Sequence, residues 1–210
     1  MQPRFVVLEG IDGAGTTTQT ARLAAWLRAE GADVHETREP TGGVIGVLLR
    51  QVLTGAHAQA PAPAAQRAAQ LGLLFAADRL DHLAREVMPS LERGAWVVSD
   101  RYDHSSVAYQ SVSSEGAVDI AWLRGLNRFA RRPDLTVVLD VTPEVARARR
   151  LARAGARELF DDDALQRKLA AFYGDVDRHF GDERIVHIDA DATADEVERA
   201  VRDAVRELGA

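Results

Sequence analysis

Cysteine is absent from the 210 residues. That excludes a disulfide framework, a thiol nucleophile and a thiolate metal site. Lysine is almost absent too: Lys168 stands alone, so arginine supplies the rest of the 26 basic residues. The six histidines (35, 57, 82, 104, 179 and 187) nowhere take the HExxH spacing of a zinc helix. No apolar run approaches the ~18 residues of a membrane-spanning helix. Positive charge is in deficit, with a formal net charge of −6. Duplex nucleic acid and anionic membranes both favour a basic face, so neither is expected as a partner. Gln2 to Leu8 reads as an early strand rather than a basic targeting segment, which predicts a cytoplasmic protein.

What is present is ordinary for a globular chain: 46% hydrophobic and 28% charged residues. The length suits one domain, 1–210. Short apolar runs alternate with amphipathic stretches. Strands are expected at Phe5–Leu8, Val34–Thr37, Trp96–Val98, Leu135–Val141 and Arg184–Ile188. Helices are expected at about 17–30, 43–53, 64–91, 102–111, 118–130, 143–153, 162–180 and 193–208. Strands alternating with helices predict an α/β fold: a five-stranded parallel sheet with helices on both faces.

The first strand runs into Gly10-Ile11-Asp12-Gly13-Ala14-Gly15-Thr16-Thr17 and then a helix. That is the context of a phosphate-binding loop, GxxxxGK[ST], and of a P-loop NTPase-type sheet. Backbone N–H groups of Gly10, Gly13, Ala14, Gly15, Thr16, Thr17 and Thr18 are placed to cradle the phosphates of ATP, helped by the helix N-terminus. Thr17 takes the position whose hydroxyl ligates Mg²⁺. The lysine position holds Thr16, which can hydrogen-bond but cannot neutralise charge. Left uncompensated, that loss would slow phosphoryl transfer by roughly 10²–10⁴-fold.

A second block, Val98-Ser99-Asp100-Arg101-Tyr102-Asp103-His104-Ser105-Ser106-Val107-Ala108-Tyr109-Gln110, ends a buried strand in a carboxylate and a guanidinium. Asp100 there can reach a Mg²⁺ held by the phosphate loop, and Arg101 can fork a second phosphate. This block resembles the signature of the bacterial thymidylate kinases. Four more blocks follow that family's order: Glu9 to Gly15; Thr37-Arg38-Glu39-Pro40 with Gly42-Gly43; Leu74-Phe75-Ala76-Ala77-Asp78-Arg79; and Leu139-Asp140-Val141-Thr142-Pro143-Glu144.

The resemblance implies transfer of the γ-phosphate of ATP to dTMP, with Mg²⁺ at Thr17 and Asp100. It places Asp12 at the sugar hydroxyl, Arg38 and Arg101 on the acceptor phosphate, and Phe75 against thymine. Arg79 would donate to a thymine carbonyl, Ser106 and Gln110 would meet the base edge, and Tyr109 would crowd the 2′-carbon. Taken singly, Phe75 and Tyr109 also fit as core aromatics, and Asp78 and Arg79 as a solvated face. A homodimer through the long helices is also implied.

Arg147, Arg149, Arg150, Arg153 and Arg157 crowd one short stretch of an acidic chain. Arg149, Arg153 and Arg157 share one helix side. The resemblance makes about 147–162 a lid, and Arg153 first, then Arg149, the expected catalytic arginines covering for Thr16. The competing reading is a weakened or inactive thymine-nucleotide-binding relative that has lost the lysine.

Overall fold

The computed structural model describes residues 2–57, 60–152, 160 and 162–208. Strands β1 (Phe5–Glu9), β2 (Val34–Arg38), β3 (Trp96–Asp100), β4 (Leu135–Asp140) and β5 (Ile185–Asp189) form one sheet. Its order is β2-β3-β1-β4-β5. Each neighbouring pair is parallel, with Leu8 opposite Asp100 and Arg38 opposite that same residue. The expected five-stranded parallel sheet is what the chain builds.

Period-two burial explains why β1 sits at the centre. Val6 and Leu8 pack into one apolar cluster with Leu23 and Leu27, while Phe5 and Val7 pack into another with Leu83 and Val87. All five β1 residues are fully buried. A strand covered on both faces must read as a continuous apolar run, and this one does until Glu9.

The helices are α1 (Thr16–Ala29), α2 (Val44–Leu53), α3 (Ala64–His82), α4 (Met88–Glu92), α5 (Asp103–Ser113), α6 (Ile120–Leu126), α7 (Pro143–Ala152), α8 (Asp163–Gly174), α9 (Asp177–Phe180) and α10 (Ala194–Arg206). Two expected helices are divided. The 64–91 helix passes through a π-helical turn, Leu83–Val87, before α4. Pro89 is the cause on the sequence: it has no N–H for the ladder, so it begins a new segment near its N-terminus. The 162–180 helix ends at Gly174, and α9 is a separate short turn. The 118–130 helix shortens to Ile120–Leu126, capped by the Asp119 carboxylate.

β1 lies between β3 and β4; the chain builds β2 and β3 on one side of it and then crosses to β4 and β5 on the other, so the strand order reverses at β1. Ligands of parallel sheets bind beyond the carboxyl ends of the strands at such a point. The phosphate loop and the Asp100-Arg101 pair both emerge there.

Candidate functional site

The loop after β1 turns through Gly10, Gly13 and Gly15, all at positive φ. Gly13 is a position where only glycine fits. A Cβ there would lie 2.4 Å from the Ala146 carbonyl oxygen, so α7 docks directly on the loop. Gly15, at φ 99°, is the N-cap of α1 and has open space around it. Ala14 is buried and its N–H closes the turn on the Ile11 carbonyl at 3.0 Å. Thr16 is buried in the first turn of α1, whereas Thr17 and Thr18 face outward. This leaves a run of backbone donors at a helix N-terminus, the arrangement that accepts phosphate.

The Thr17 hydroxyl donates to Asp100 Oδ2 at 2.5 Å. Asp100 Oδ1 is buried without a partner. An orphaned carboxylate oxygen beside a hydroxyl is a hard oxygen donor set, which fits Mg²⁺.

Arg101 follows at φ 74°, a left-handed conformation that costs a non-glycine residue about 1–3 kcal/mol and persists only where the surroundings enforce it. Its Nη2 donates to Asp12 Oδ1 at 2.6 Å and its Nη1 to Ser105 Oγ at 2.9 Å. Burial opposes its charge, but Tyr109, Asp12, Tyr173 and Asp100 together hold its pKa well above the ordinary range.

What enforces the turn is Glu9, a buried carboxylate. Oε1 accepts the Tyr102 N–H at 2.8 Å and the Ser105 N–H at 3.2 Å. Oε2 accepts the Ser105 hydroxyl at 2.5 Å and the Tyr173 hydroxyl at 3.0 Å. Sequence reasoning gave Glu9 no role; the available signal was a lone acid ending an otherwise apolar buried strand.

Asp12 is the hub of the site. Besides Arg101, it exchanges contacts with Gln166 on α8: its N–H donates to Gln166 Oε1, and its Oδ2 accepts from Nε2, both at 3.2 Å. Its carbonyl accepts from Arg150 Nη1 at 2.9 Å.

The expected acceptor residues gather on α3 and α5. Gln110 is fully buried, and neither its amide oxygen nor its nitrogen has a partner. Tyr109 is buried with its hydroxyl unpartnered, its ring 5.3 Å from the Arg101 guanidinium carbon and edge-on to Phe160. Burial, only partly offset by Arg101, pushes the Tyr109 phenol up. Phe75 is half-buried beside Leu49, Val52 and Leu53, the cluster that joins α3 to α2. Arg38 ends β2 exposed and in no ion pair among the described residues.

Arg79 departs from the solvated face that its spacing allowed. It is 0% exposed. Nη1 donates to Asn127 at 2.6 Å, and Nη2 to Glu39 at 2.6 Å and to the Tyr102 carbonyl and Ser106 Oγ at 2.9 Å. Only Nε lacks a partner. The hydroxyl of Ser106, expected at the base edge, is thus engaged by Arg79. Glu39 Oε1 also accepts from His82 Nδ1 at 3.0 Å, so α3 is tied to the end of β2.

In the arginine segment, among the described residues, Arg149 Nη2 reaches the Ala192 carbonyl, at 3.4 Å. Arg153 and Arg157, and half of the expected lid, lie outside the described residues.

Two other clusters do not fit phosphate chemistry. A cleft of about 470 Å³ beyond β4 and β5 is rimmed by Asp140, Asp189 and Asp191, a field that repels anions. Asp103, His104 and Glu183 place ligand-type atoms within 4.8 Å of one another. Arg132 Nη1 already bridges their two carboxylates, at 2.8 and 3.0 Å, so this group has its cation.

The family described as thymidylate kinase matches residues 8–201. The probable thymidylate kinase of Thermococcus onnurineus (strain NA1) is 42% identical over 185 residues, 87% of this chain and 88% of that protein. The thymidylate kinase of Jannaschia sp. (strain CCS1) is 39% identical, covering 96% of this chain and 95% of its own. That of Alkalilimnicola ehrlichii (strain ATCC BAA-1101 / DSM 17681 / MLHE-1) is 37% identical, covering 96% and 92%. With the phosphate loop, the Asp100-Arg101 turn and the buried α5 face gathered at the carboxyl ends of β1 and β3, and the match spanning nearly the whole chain, this protein belongs to the thymidylate kinase family.

Proposed function

We propose that the chain transfers the γ-phosphate of ATP to dTMP, giving dTDP and ADP, as a single kinase domain of the bacterial type working in the cytoplasm. The observation that carries this reading is Arg101. Its guanidinium bridges Asp12 of the phosphate loop and Ser105 of α5, placing an acceptor-phosphate cation against the donor-phosphate cradle. Transfer then needs positioning and electrostatics, with no covalent enzyme intermediate.

ATP phosphates sit on the N–H groups of Gly13 and of Gly15 to Thr18; the Ala14 N–H, expected among them, is taken by the Ile11 carbonyl. Thr17 and Asp100 hold Mg²⁺, which when bound offsets the phosphate charge. Arg38 and Arg101 grip the acceptor phosphate, and Asp12 orients the sugar. The unpartnered Gln110 amide supports a base-edge contact, since burying both its polar atoms empty-handed is costly. Phe75 supplies a stacking face, and Tyr109 stands beside Arg101 where a 2′-hydroxyl would intrude. Arg79 shapes the wall by fixing Ser106, with Nε left for the thymine carbonyl. A lid at about 147–162 brings Arg153 and Arg149 over the nucleotide. Pairing as a homodimer is supported by Leu73 and Leu80, which α3 leaves 53% and 42% exposed one heptad apart.

The test is coupled ADP release with ATP·Mg²⁺ and dTMP, dUMP, dGMP or no acceptor. Release that requires a pyrimidine deoxynucleotide and is fastest with dTMP is expected. Equal release with dGMP or without acceptor would overturn the reading.

A further inference from the structure

We infer that Arg150, on α7, stands in for the lysine missing at Thr16 and faces the β/γ-phosphates of ATP. The inference rests on the proposed function and adds a residue that the sequence pattern did not single out.

The lone lysine of the chain cannot serve: Lys168 is 58% exposed and pairs with Glu115 at 3.5 Å. Arginine must carry the charge, and geometry chooses among the described arginines near the loop. Arg101 and Arg38 lie on the acceptor side, just after β3 and at the end of β2. Arg149 points to the Ala192 carbonyl. Arg150 alone among them approaches the loop from the lid side, through the Asp12 carbonyl at 2.9 Å.

Its position is built in. Ala146 of α7 touches Gly13 so closely that no side chain fits between them. Arg150 is one helical turn further on, so the same docking contact carries its guanidinium over the loop. Only 10% of its side chain is exposed. Although it lies at the start of the proposed lid, its contact with the Asp12 carbonyl already holds it beside the phosphate cradle.

Charge also favours the role. Arg150 Nη2 and Arg147 Nε both pair with Asp163, each at 2.7 Å. Two guanidinium groups share one carboxylate, which leaves a net positive charge next to the loop. A P-loop lysine would add one such charge. A guanidinium has spare N–H donors after its contacts with Asp12 and Asp163, and it forks readily onto phosphate oxygens.

The experiment compares wild type, Arg150→Gln, Arg150→Lys, Thr16→Lys and the double variant Thr16→Lys/Arg150→Gln. Calorimetric binding of a non-hydrolysable ATP analogue, adenosine and dTMP accompanies kcat and KM. Arg150→Gln should weaken the analogue at least tenfold, leave adenosine and dTMP within about twofold, and lower kcat by about 10²-fold. Arg150→Lys should retain most analogue affinity. Thr16→Lys should help the Arg150→Gln enzyme at least tenfold more than it helps the parent. An analogue affinity unchanged by Arg150→Gln, or a loss that Thr16→Lys does not repair, would overturn the inference. Wild type that binds the analogue through Arg150 yet turns over no dTMP would instead remove the proposed reaction and leave the Arg150 assignment standing.

Discussion

Glu9→Gln removes one negative charge from the centre of the fold and changes no volume. The carboxylate accepts four hydrogen bonds, two from backbone N–H groups and two from hydroxyls. The amide oxygen can keep the Tyr102 and Ser105 N–H bonds. The new NH₂ then faces the Ser105 and Tyr173 hydroxyls, which must turn to accept. Hydrogen bonds to a charged group are worth about 1 kcal/mol more than neutral ones, and relief of the buried charge returns part of the sum. A net loss of about 1.5–3 kcal/mol follows. At this chain length that is a Tm decrease of about 4–10 °C. Ser105 is also the hydroxyl that Arg101 Nη1 leans on, and Tyr102 follows the strained Arg101 backbone. Loosening both should lower kcat about tenfold or more, because small displacements of a phosphate-gripping group are expensive. Differential scanning calorimetry and steady-state kinetics on the same preparation measure both effects. Ser105→Ala should lower kcat similarly with a smaller Tm change of about 1 kcal/mol equivalent. A Glu9→Gln enzyme with Tm within about 1 °C and kcat within about twofold of wild type would refute the claim that this carboxylate holds the turn.

Gln110→Leu should leave Tm unchanged or raised, since it removes two buried unpartnered polar atoms, yet weaken dTMP binding by about 5–30-fold in calorimetry. Equal affinity would take Gln110 out of the base contact. Asp100→Asn should cut kcat by about 10²-fold or more and raise the Mg²⁺ needed for half-maximal rate, read from a metal titration. Stability should depend on pH through His104, whose ring nitrogens lie 3.4 Å from Asp103 and 3.5 Å from Glu183. Burial works against the imidazolium, but Asp103, Glu9 and Glu183 outweigh it and raise the His104 pKa. A raised basic group stabilises fully below its ordinary value of about 6.5 and loses that stabilisation as pH climbs through the folded value. The Tm difference between wild type and His104→Gln should therefore shrink from pH 6 toward pH 9, and a constant difference would contradict the assignment.

The sheet was legible because buried parallel strands must be apolar throughout, and Phe5 to Leu8 and Trp96 to Val98 are. The phosphate loop was legible because its glycines obey backbone geometry that no other residue meets. The break after His82 was harder to see: Pro89 marks it, but the apolar stripe runs on through Leu83. Arg79 read as a possible surface residue because its four partners come from the residue after β2, the turn after β3, α5 and the segment after α6, distant in sequence. Glu9, Gln166 and Arg150 were silent for the same reason. Each acts through a contact between remote segments, and a single charged or amide side chain has no period to reveal it. Arg150 was further obscured by its neighbours, since the regular spacing of 149, 153 and 157 drew attention to those three instead.

The central claim is phosphoryl transfer between two bound nucleotides, and ³¹P NMR of the protein with ATP, Mg²⁺ and dTMP observes it without a coupling enzyme. The account predicts that the dTMP resonance disappears as the two resonances of dTDP grow, one dTDP formed for each ADP. ADP and inorganic phosphate accumulating while dTMP stays intact would contradict it.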